Sequence, residues 1–256
     1  MANSSTPAMS GQGEDMSLGL RLMLGAWSLW CGVWVVVVTL VLSSVVILGS
    51  WAGGGKWLGW VAVVWAKMLM WPIGCPVRRV GELPEEEGFV IAANHSSFLD
   101  IPALLAGLER RVYFVAKQEL FSIPIFGQAM AAACAVALKR DSAREAMATL
   151  AQVGQMVAEG ECVVIFPEGT RSRTGEMLPF KAGAFSVATG PGSMVVPVCI
   201  HGTRRALPPG SWLLRPGRIE VRVGRAVRAE GKGSKARAEL ARAVRAEIEK
   251  LCRERY

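Results

Sequence analysis

The alternation of apolar and polar positions divides this chain into two unlike parts. No charged side chain occurs between Arg21 and Lys56, and residues 26–48 are almost wholly apolar, with Val35, Val36, Val37 and Val38 in succession. Such a run exceeds the roughly 20 residues that carry a helix across a hydrocarbon core of about 30 Å. Gly53, Gly54 and Gly55 end it, and a second apolar stretch follows over residues 57–73, broken by Lys67. The pattern predicts either a two-helix hairpin sunk into one leaflet or a single span followed by an interfacial helix. A secretory signal fits poorly, since it would have a shorter apolar region, a more basic start and a small-residue cleavage site.

Beyond residue 75 the apolar runs shorten and alternate with helical periodicity. Strands are predicted over 89–93, 112–116, 133–138, 162–166, 194–200 and 219–223. Helices are predicted over 99–108, 142–159, 182–189 and 234–253; in the first, Pro102 is tolerated only within the opening turn. Strands alternating with helices imply an α/β fold, with a mostly parallel sheet flanked by helices and preceded by an N-terminal membrane-embedded helical segment. The expected organisation is a disordered polar N-terminus over 1–17, a membrane-anchoring helix or hairpin over 18–74, and an α/β domain over 75–256 ending in a basic amphipathic helix. No internal repeat is apparent.

Composition sharpens this picture. The 256 residues carry a formal charge of +8, and residues 215–256 hold 13 Lys and Arg against 6 Glu. A basic face suits nucleic acid, anionic lipid or an acidic protein. Beside a membrane segment, anionic lipid headgroups are the better partner, and the lack of interleaved aromatics argues against nucleic acid. Trp27, Trp30, Trp34 and Trp51 lie near the first apolar stretch and Trp57, Trp60, Trp65 and Trp71 in the second, consistent with the headgroup level that indoles favour. Cys31, Cys75, Cys134, Cys162, Cys199 and Cys252 are scattered, with no CxxC and no histidine at ligand spacing. They read as buried reduced thiols of a cytosolic domain, with no metal site.

The chemistry concentrates where strands end. His95, Lys117, Arg140, Glu168 with Arg171, and His201 each follow an apolar run, and parallel strands would gather them at one rim, where open α/β sheets hold ligands. His95 and Asp100 are five positions apart, a rotation of about 140° on a regular helix. They meet only if His95 lies in a loop that folds back on a helix starting near Asp100. A carboxylate at one imidazole nitrogen fixes the tautomer and frees the other as a base. The same residues have structural readings: Ser97 and Asp100 fit a capping box, and His95 could be a core histidine. A hydrolase using Ser96 or Ser97 competes, although neither serine lies in a Gly-x-Ser-x-Gly elbow. Glu168, Gly169, Thr170 and Arg171 offer a guanidinium, freed N–H groups and a hydroxyl, a set suited to phosphate or carboxylate. An ion pair on a surface turn would use the same residues.

Asn94-His95-x4-Asp100 and Phe166-Pro167-Glu168-Gly169-Thr170-Arg171, in this order behind a membrane segment, resemble the glycerolipid acyltransferase family, specifically its 1-acylglycerol-3-phosphate acyltransferases. The resemblance runs from about residue 88 to 208 and takes in Ala116-Lys117-Gln118-Glu119-Leu120, Pro124-Ile125-Phe126-Gly127, Phe180-Lys181-Ala182-Gly183 and Val196-Pro197-Val198. The family's block glycine-x-apolar-apolar-apolar-x-arginine here begins at Cys134 and ends at Arg140, keeping the arginine and losing the glycine. The resemblance implies that His95 is the base and Asp100 its orienting partner. It implies that Arg171 binds the acceptor phosphate, that Glu168, Gly169 and Thr170 shape that pocket, and that Arg140, Lys117 and Asn94 assist. It further implies acyl transfer from an acyl carrier protein or coenzyme A thioester, with no metal and no other cofactor, to lysophosphatidic acid or a related lysolipid such as lyso-ornithine lipid. The implied location is the cell inner membrane, with the catalytic domain on the cytoplasmic side. A non-catalytic lipid-binding module is the reading from another class, and the intact His95/Asp100 pair argues against it.

Overall fold

The computed structural model describes residues 17–138, 143–188, 193–231 and 233–254. Residues 1–16 and Arg140 lie outside them.

Strands β2 (Val90–Ala93), β5 (Val163–Ile165) and β6 (Met194–His201) are apolar at almost every position, so both faces must be covered. Ile91, Ala93, Val164, Val196 and Val198 pack into one core with helices α2 (Trp57–Met70) and α3 (Asp100–Leu108). Val90, Ala92, Val163, Ile165, Val195 and Cys199 pack into the other, against α5 (Ala143–Ala158) and α7 (Gly233–Arg253). The result is a sheet between two helical layers.

The eight-stranded sheet has the order β1 (Val77–Val80), β7 (Ile219–Val223), β6, β2, β5, β3 (Tyr113–Lys117), β4 (Ala135–Leu138), with β8 (Val227–Arg228) paired to β6. The five strands β6, β2, β5, β3 and β4 run parallel. Strand β7 is antiparallel to β6 and parallel to β1, so the sheet is mixed. The antiparallel members carry none of the expected rim residues, so His95, Lys117, Glu168 and His201 all lie at or beyond the carboxyl ends of parallel strands. Strand β1 and helix α4 (Phe126–Ala133) were not expected; α4 takes Ala133 from the predicted strand and leaves β4 to start at Ala135. Residues Ala182–Ala188 form a 3-10 helix.

Helix α1 (Leu18–Trp51) is one apolar helix of 34 residues, long enough in length and composition to cross a membrane. It does not project away from the domain. The Ser28 hydroxyl receives the Leu214 N–H at 2.9 Å, the Cys31 thiol meets the Pro72 carbonyl at 3.7 Å, and Val46 packs with Leu58, Ala129 and Ala133. Helix α2 returns alongside it, tied by the Trp34 indole N–H to the Met68 carbonyl at 2.8 Å and the Trp65 indole N–H to the Thr39 hydroxyl at 2.9 Å. The outer face stays apolar: Leu22, Val36, Val41, Leu48, Trp51 and Trp71 are all exposed.

The cysteines depart from expectation. Cys199 on β6 and Cys252 in the last turn of α7 form a disulfide with a Cα–Cα separation of 5.6 Å, while Cys31, Cys75, Cys134 and Cys162 are free. The packing of α7 across β6 brings the pair together from 53 residues apart, a relation invisible in their spacing.

Candidate active site

After β2 the chain passes into α3 on one face of the sheet; after β5 it reaches the 3-10 helix at Phe185 and Val187 on the other. Diverging segments open a crevice at the carboxyl ends of adjacent parallel strands. The two sequence motifs meet there.

His95 lies in the loop and Asp100 is the first residue of α3, with Pro102 in the opening turn. The His95 Nδ1 lies 2.8 Å from Asp100 Oδ2. The same carboxylate oxygen accepts the backbone N–H groups of Ser96 at 2.6 Å and Ser97 at 2.8 Å, which folds the loop back onto the helix start. Asp100 is fully buried, whereas the His95 side chain keeps 17 % exposure and stacks on Phe166 with ring centroids 4.1 Å apart. A carboxylate held this way fixes Nδ1 as the protonated nitrogen and leaves Nε2 as an acceptor toward the crevice.

The Ser97 hydroxyl is not placed as a nucleophile. The Ser97 hydroxyl donates to the Leu207 carbonyl at 2.8 Å and accepts the Leu99 N–H at 3.1 Å, so it is held away from His95. Nor does Ser97 cap α3 through its side chain: the N-cap position is Leu99.

The second motif binds the first. Glu168 Oε1 accepts the His95 backbone N–H at 2.7 Å and Oε2 accepts the Leu178 N–H at 2.8 Å. The Ser172 N–H in turn donates to the His95 carbonyl at 2.8 Å. Burial pushes the Glu168 carboxyl above its usual range, with the Leu178 and His95 N–H groups pulling in the opposite direction. Gly169 adopts φ 73°, and a Cβ there would sit 2.8 Å from the Lys181 ammonium. Thr170 is exposed beside it.

Arg171 stands at the mouth of this pocket. Its guanidinium carbon lies 3.4 Å above the centroid of the Phe98 ring, and its buried Nη1 has no hydrogen-bond partner among the described residues. A guanidinium stacked on an aromatic face is held flat and retains donors for a planar or tetrahedral anion. Arg173 and Lys181 are exposed nearby and Arg204 donates to the Arg173 carbonyl at 2.9 Å, so the local field is positive.

Two expected substrate-binding residues fall elsewhere. Both polar atoms of Asn94 pair with Ile200, donating to its carbonyl at 3.1 Å and accepting its N–H at 2.7 Å. Asn94 thus extends the β2–β6 ladder by one step, a structural duty. Lys117 is exposed at the end of β3, two strands from β2 in the sheet order and so about 10 Å away at the usual strand spacing. Arg140 is outside the described residues. Phe98 and Thr203 were not expected at the site; Thr203 is fully buried and its hydroxyl donates to Asp100 Oδ1 at 2.5 Å.

Behind Phe98 opens an apolar cavity of about 970 Å³ between the hairpin and the domain, lined among others by Val36, Trp65, Leu105, Phe114 and Met130. That volume lies at the upper end of the roughly 300–1,000 Å³ usual for small-molecule sites.

Residues 76–201 match the family model described as Acyltransferase. A chloroplastic 1-acyl-sn-glycerol-3-phosphate acyltransferase of Brassica napus is 37 % identical over 169 residues, 65 % of this chain and 49 % of that protein. The lyso-ornithine lipid O-acyltransferase of Rhizobium meliloti is 35 % identical over 158 residues, 62 % of this chain and 53 % of that protein. The chain spans about half the length of the plant and algal relatives that it matches. A crystal structure of the 1-acyl-sn-glycerophosphate acyltransferase of Thermotoga maritima shares the fold, with a TM-score of 0.77 at 24 % identity over 92 % of this chain and 98 % of that one. The 1-acyl-sn-glycerol-3-phosphate acyltransferase of Pseudomonas aeruginosa is 33 % identical over 178 residues, 69 % of this chain and 68 % of that protein, and with this relative the motifs of the crevice find their place: the chain belongs to the 1-acyl-sn-glycerol-3-phosphate acyltransferase family.

Proposed function

We propose that the protein transfers an acyl chain from an acyl carrier protein or coenzyme A thioester to the 2-hydroxyl of 1-acylglycerol-3-phosphate, giving phosphatidic acid. The carrying observation is the placement of the His95–Asp100 pair, its carboxylate fully buried, beside an Arg171 whose Nη1 has no partner among the described residues, with an apolar cavity behind Phe98. His95 Nε2 takes the proton of the acceptor hydroxyl as its oxygen attacks the thioester carbonyl carbon. The tetrahedral intermediate then collapses, the C–S bond breaks, and the proton passes from His95 to the departing thiolate. Arg171 holds the acceptor phosphate, and the cavity suits an acyl chain. The acidic carrier protein, or the phosphates of coenzyme A, would meet the basic surface.

The test is a panel of acceptors offered to the purified full chain with labelled acyl thioester, read by product mass. Phosphatidic acid is the expected product. Acylation of lyso-ornithine lipid alone would replace the named acceptor while leaving the chemistry, and ester or thioester cleavage without an acceptor would replace the reaction.

We further infer that α1 and α2 lie in one leaflet as a hairpin, on the cytoplasmic face of the inner membrane where thioester donors are made. The contacts of α1 from Ser28 to Val46 support this, because a spanning α1 would draw α4 and the Leu214 segment into the hydrocarbon. The Cys199–Cys252 bond runs against a reducing compartment, although its Cys199 end is fully buried. A cysteine introduced at the exposed Ala52 should react with an impermeant maleimide from the side of the catalytic domain or not at all. Labelling from the opposite face would establish a span.

A further inference from the structure

We propose that Thr203 is a positioning residue of the proton-transfer pair, its hydroxyl fixing the Asp100 carboxylate so that Oδ2 stays aimed at His95 Nδ1. The inference rests on the proton-transfer reading of His95 and Asp100 given above.

The two oxygens of Asp100 are served very differently. Oδ2 receives His95 Nδ1 and the N–H groups of Ser96 and Ser97. Oδ1 is served by the Thr203 hydroxyl at 2.5 Å, from 103 residues away in sequence. Rotation of a carboxylate about its last side-chain bond is soft and roughly two-fold, so the donors on Oδ2 alone define one side of the group. A donor on the other oxygen pins the plane. Both residues are fully buried, so the bond is formed out of water and to a charged acceptor, the setting in which a hydrogen bond is strongest.

The chain is built to put Thr203 there. Strand β6 runs parallel to β2 and ends at His201. Gly202 then turns with φ 93°, in space where a Cβ would lie 2.3 Å from the Arg218 carbonyl oxygen, and Thr203 opens the short helix α6 (Thr203–Ala206). The residue after α6 makes a second bond to the same loop, the Leu207 carbonyl accepting the Ser97 hydroxyl. The segment 203–207 thus braces the His95–Asp100 loop from the β6 side, as Glu168 and Ser172 brace it from the β5 side.

The test compares steady-state acyl transfer by wild type, Thr203→Val, Thr203→Ala, Thr203→Ser and His95→Ala, all full chains in the same vesicles, with lysophosphatidic acid varied and circular-dichroism melts recorded. Thr203→Val and Thr203→Ala should lower kcat roughly ten- to a hundredfold, the loss expected for one hydrogen bond to a charged group. The acceptor KM should stay within about twofold, and Thr203→Ser should recover most of the rate. The alanine adds no bulk and carries the comparison if the valine variant melts below the assay temperature. A wild-type kcat in a folded hydroxyl-free variant, a change in KM alone, or a serine variant as slow as the valine would overturn the proposal. So would failure of both Val and Ala to fold while Ser is active, which would make Thr203 a purely structural residue. Equal rates for wild type and His95→Ala would instead remove the proton-transfer reading itself, and this inference with it.

Discussion

Glu168 holds His95 by its backbone: the carboxylate accepts the His95 N–H at 2.7 Å and, through its other oxygen, the Leu178 N–H at 2.8 Å. The glutamate of the second motif is therefore a clamp between the β2 and β5 loops. Glu168→Ala leaves two backbone donors without acceptors in a nearly closed site, at roughly 1–3 kcal/mol for each. We expect a fall in chemical-denaturation stability of that order. We also expect a loss of kcat larger than any change in acceptor KM, because the base moves while Arg171 stays. A large rise in KM with unchanged kcat would return Glu168 to the binding pocket.

The same carboxyl gives stability a pH dependence of defined sign. Its folded-state pKa is raised, chiefly by burial, so between the ordinary value of 4.5 and the raised one the folded chain holds a proton that the unfolded chain has released. Folding binds protons there, and stability falls as pH rises through that window. The Glu168 contribution is most favourable below about pH 4.5, where both states are protonated, and levels off once both are ionised. Denaturation of wild type and Glu168→Gln across pH 4–7 isolates it, because the glutamine does not titrate. The stability of wild type relative to the variant should decrease as pH rises; an increase would mean that the two N–H donors outweigh desolvation.

Arg171 should separate binding from chemistry in the opposite sense to Thr203. Its guanidinium carbon lies 3.4 Å over the Phe98 ring and its Nη1 has no partner among the described residues, and a lysine can reproduce neither the cation–ring contact of a planar group nor its paired donors. Arg171→Lys and Arg171→Ala should both raise the acceptor KM, by roughly ten- to a hundredfold if the lost contact is a charge-assisted pair. Phe98→Leu, which removes the ring and keeps the apolar wall, should give a smaller rise, about two- to fivefold for a cation–π contact of roughly 0.5–1 kcal/mol. If Arg171→Lys binds lysophosphatidic acid as well as wild type does, the arginine is not the phosphate ligand.

The parts of the site visible in the sequence are those carried by the loop directly after an apolar run. His95, Glu168 and Arg171 are of this kind, Asp100 opens the helix that follows, and the impossibility of His95 and Asp100 sharing a helix face put His95 in a loop, where it is found. Their particular duties were less legible. Asn94 sits within the motif yet serves the β2–β6 ladder, because its amide matches a backbone peptide in size and polarity. Thr203 joins Asp100 across 103 residues, with no pattern around it except a glycine. Among the unexpected elements, β1 and α4 have local reasons. Strand β1 has two arginines at its centre and lies at the sheet edge, so it shows no apolar run. Helix α4 is rich in alanine and runs almost directly into β4, which made one apolar stretch of two elements.

The Cys199–Cys252 bond is the feature that spacing could not reveal, and its consequence is measurable. It ties the last turn of α7 to a central strand and closes 53 residues of chain. In the chain-entropy account a loop of that size constrains the unfolded state by about 4 kcal/mol. Helix α7 otherwise holds through Leu240, Val244, Ile248 and Leu251 and through the Arg222 guanidinium, which donates to the Leu251 carbonyl at 2.9 Å. The helix should therefore stay docked when the bond is absent. Cys252→Ser is expected to lower the melting temperature and the denaturation midpoint while leaving transfer activity at temperatures well below melting, because the crevice lies at strand ends that the bond does not touch. Alkylation of the denatured, unreduced protein followed by mass measurement should find four reactive thiols, the number that Cys31, Cys75, Cys134 and Cys162 provide. Six modified thiols, with equal stability of wild type and Cys252→Ser, would show that the two cysteines pack as thiols, and would remove the conflict with a reducing compartment.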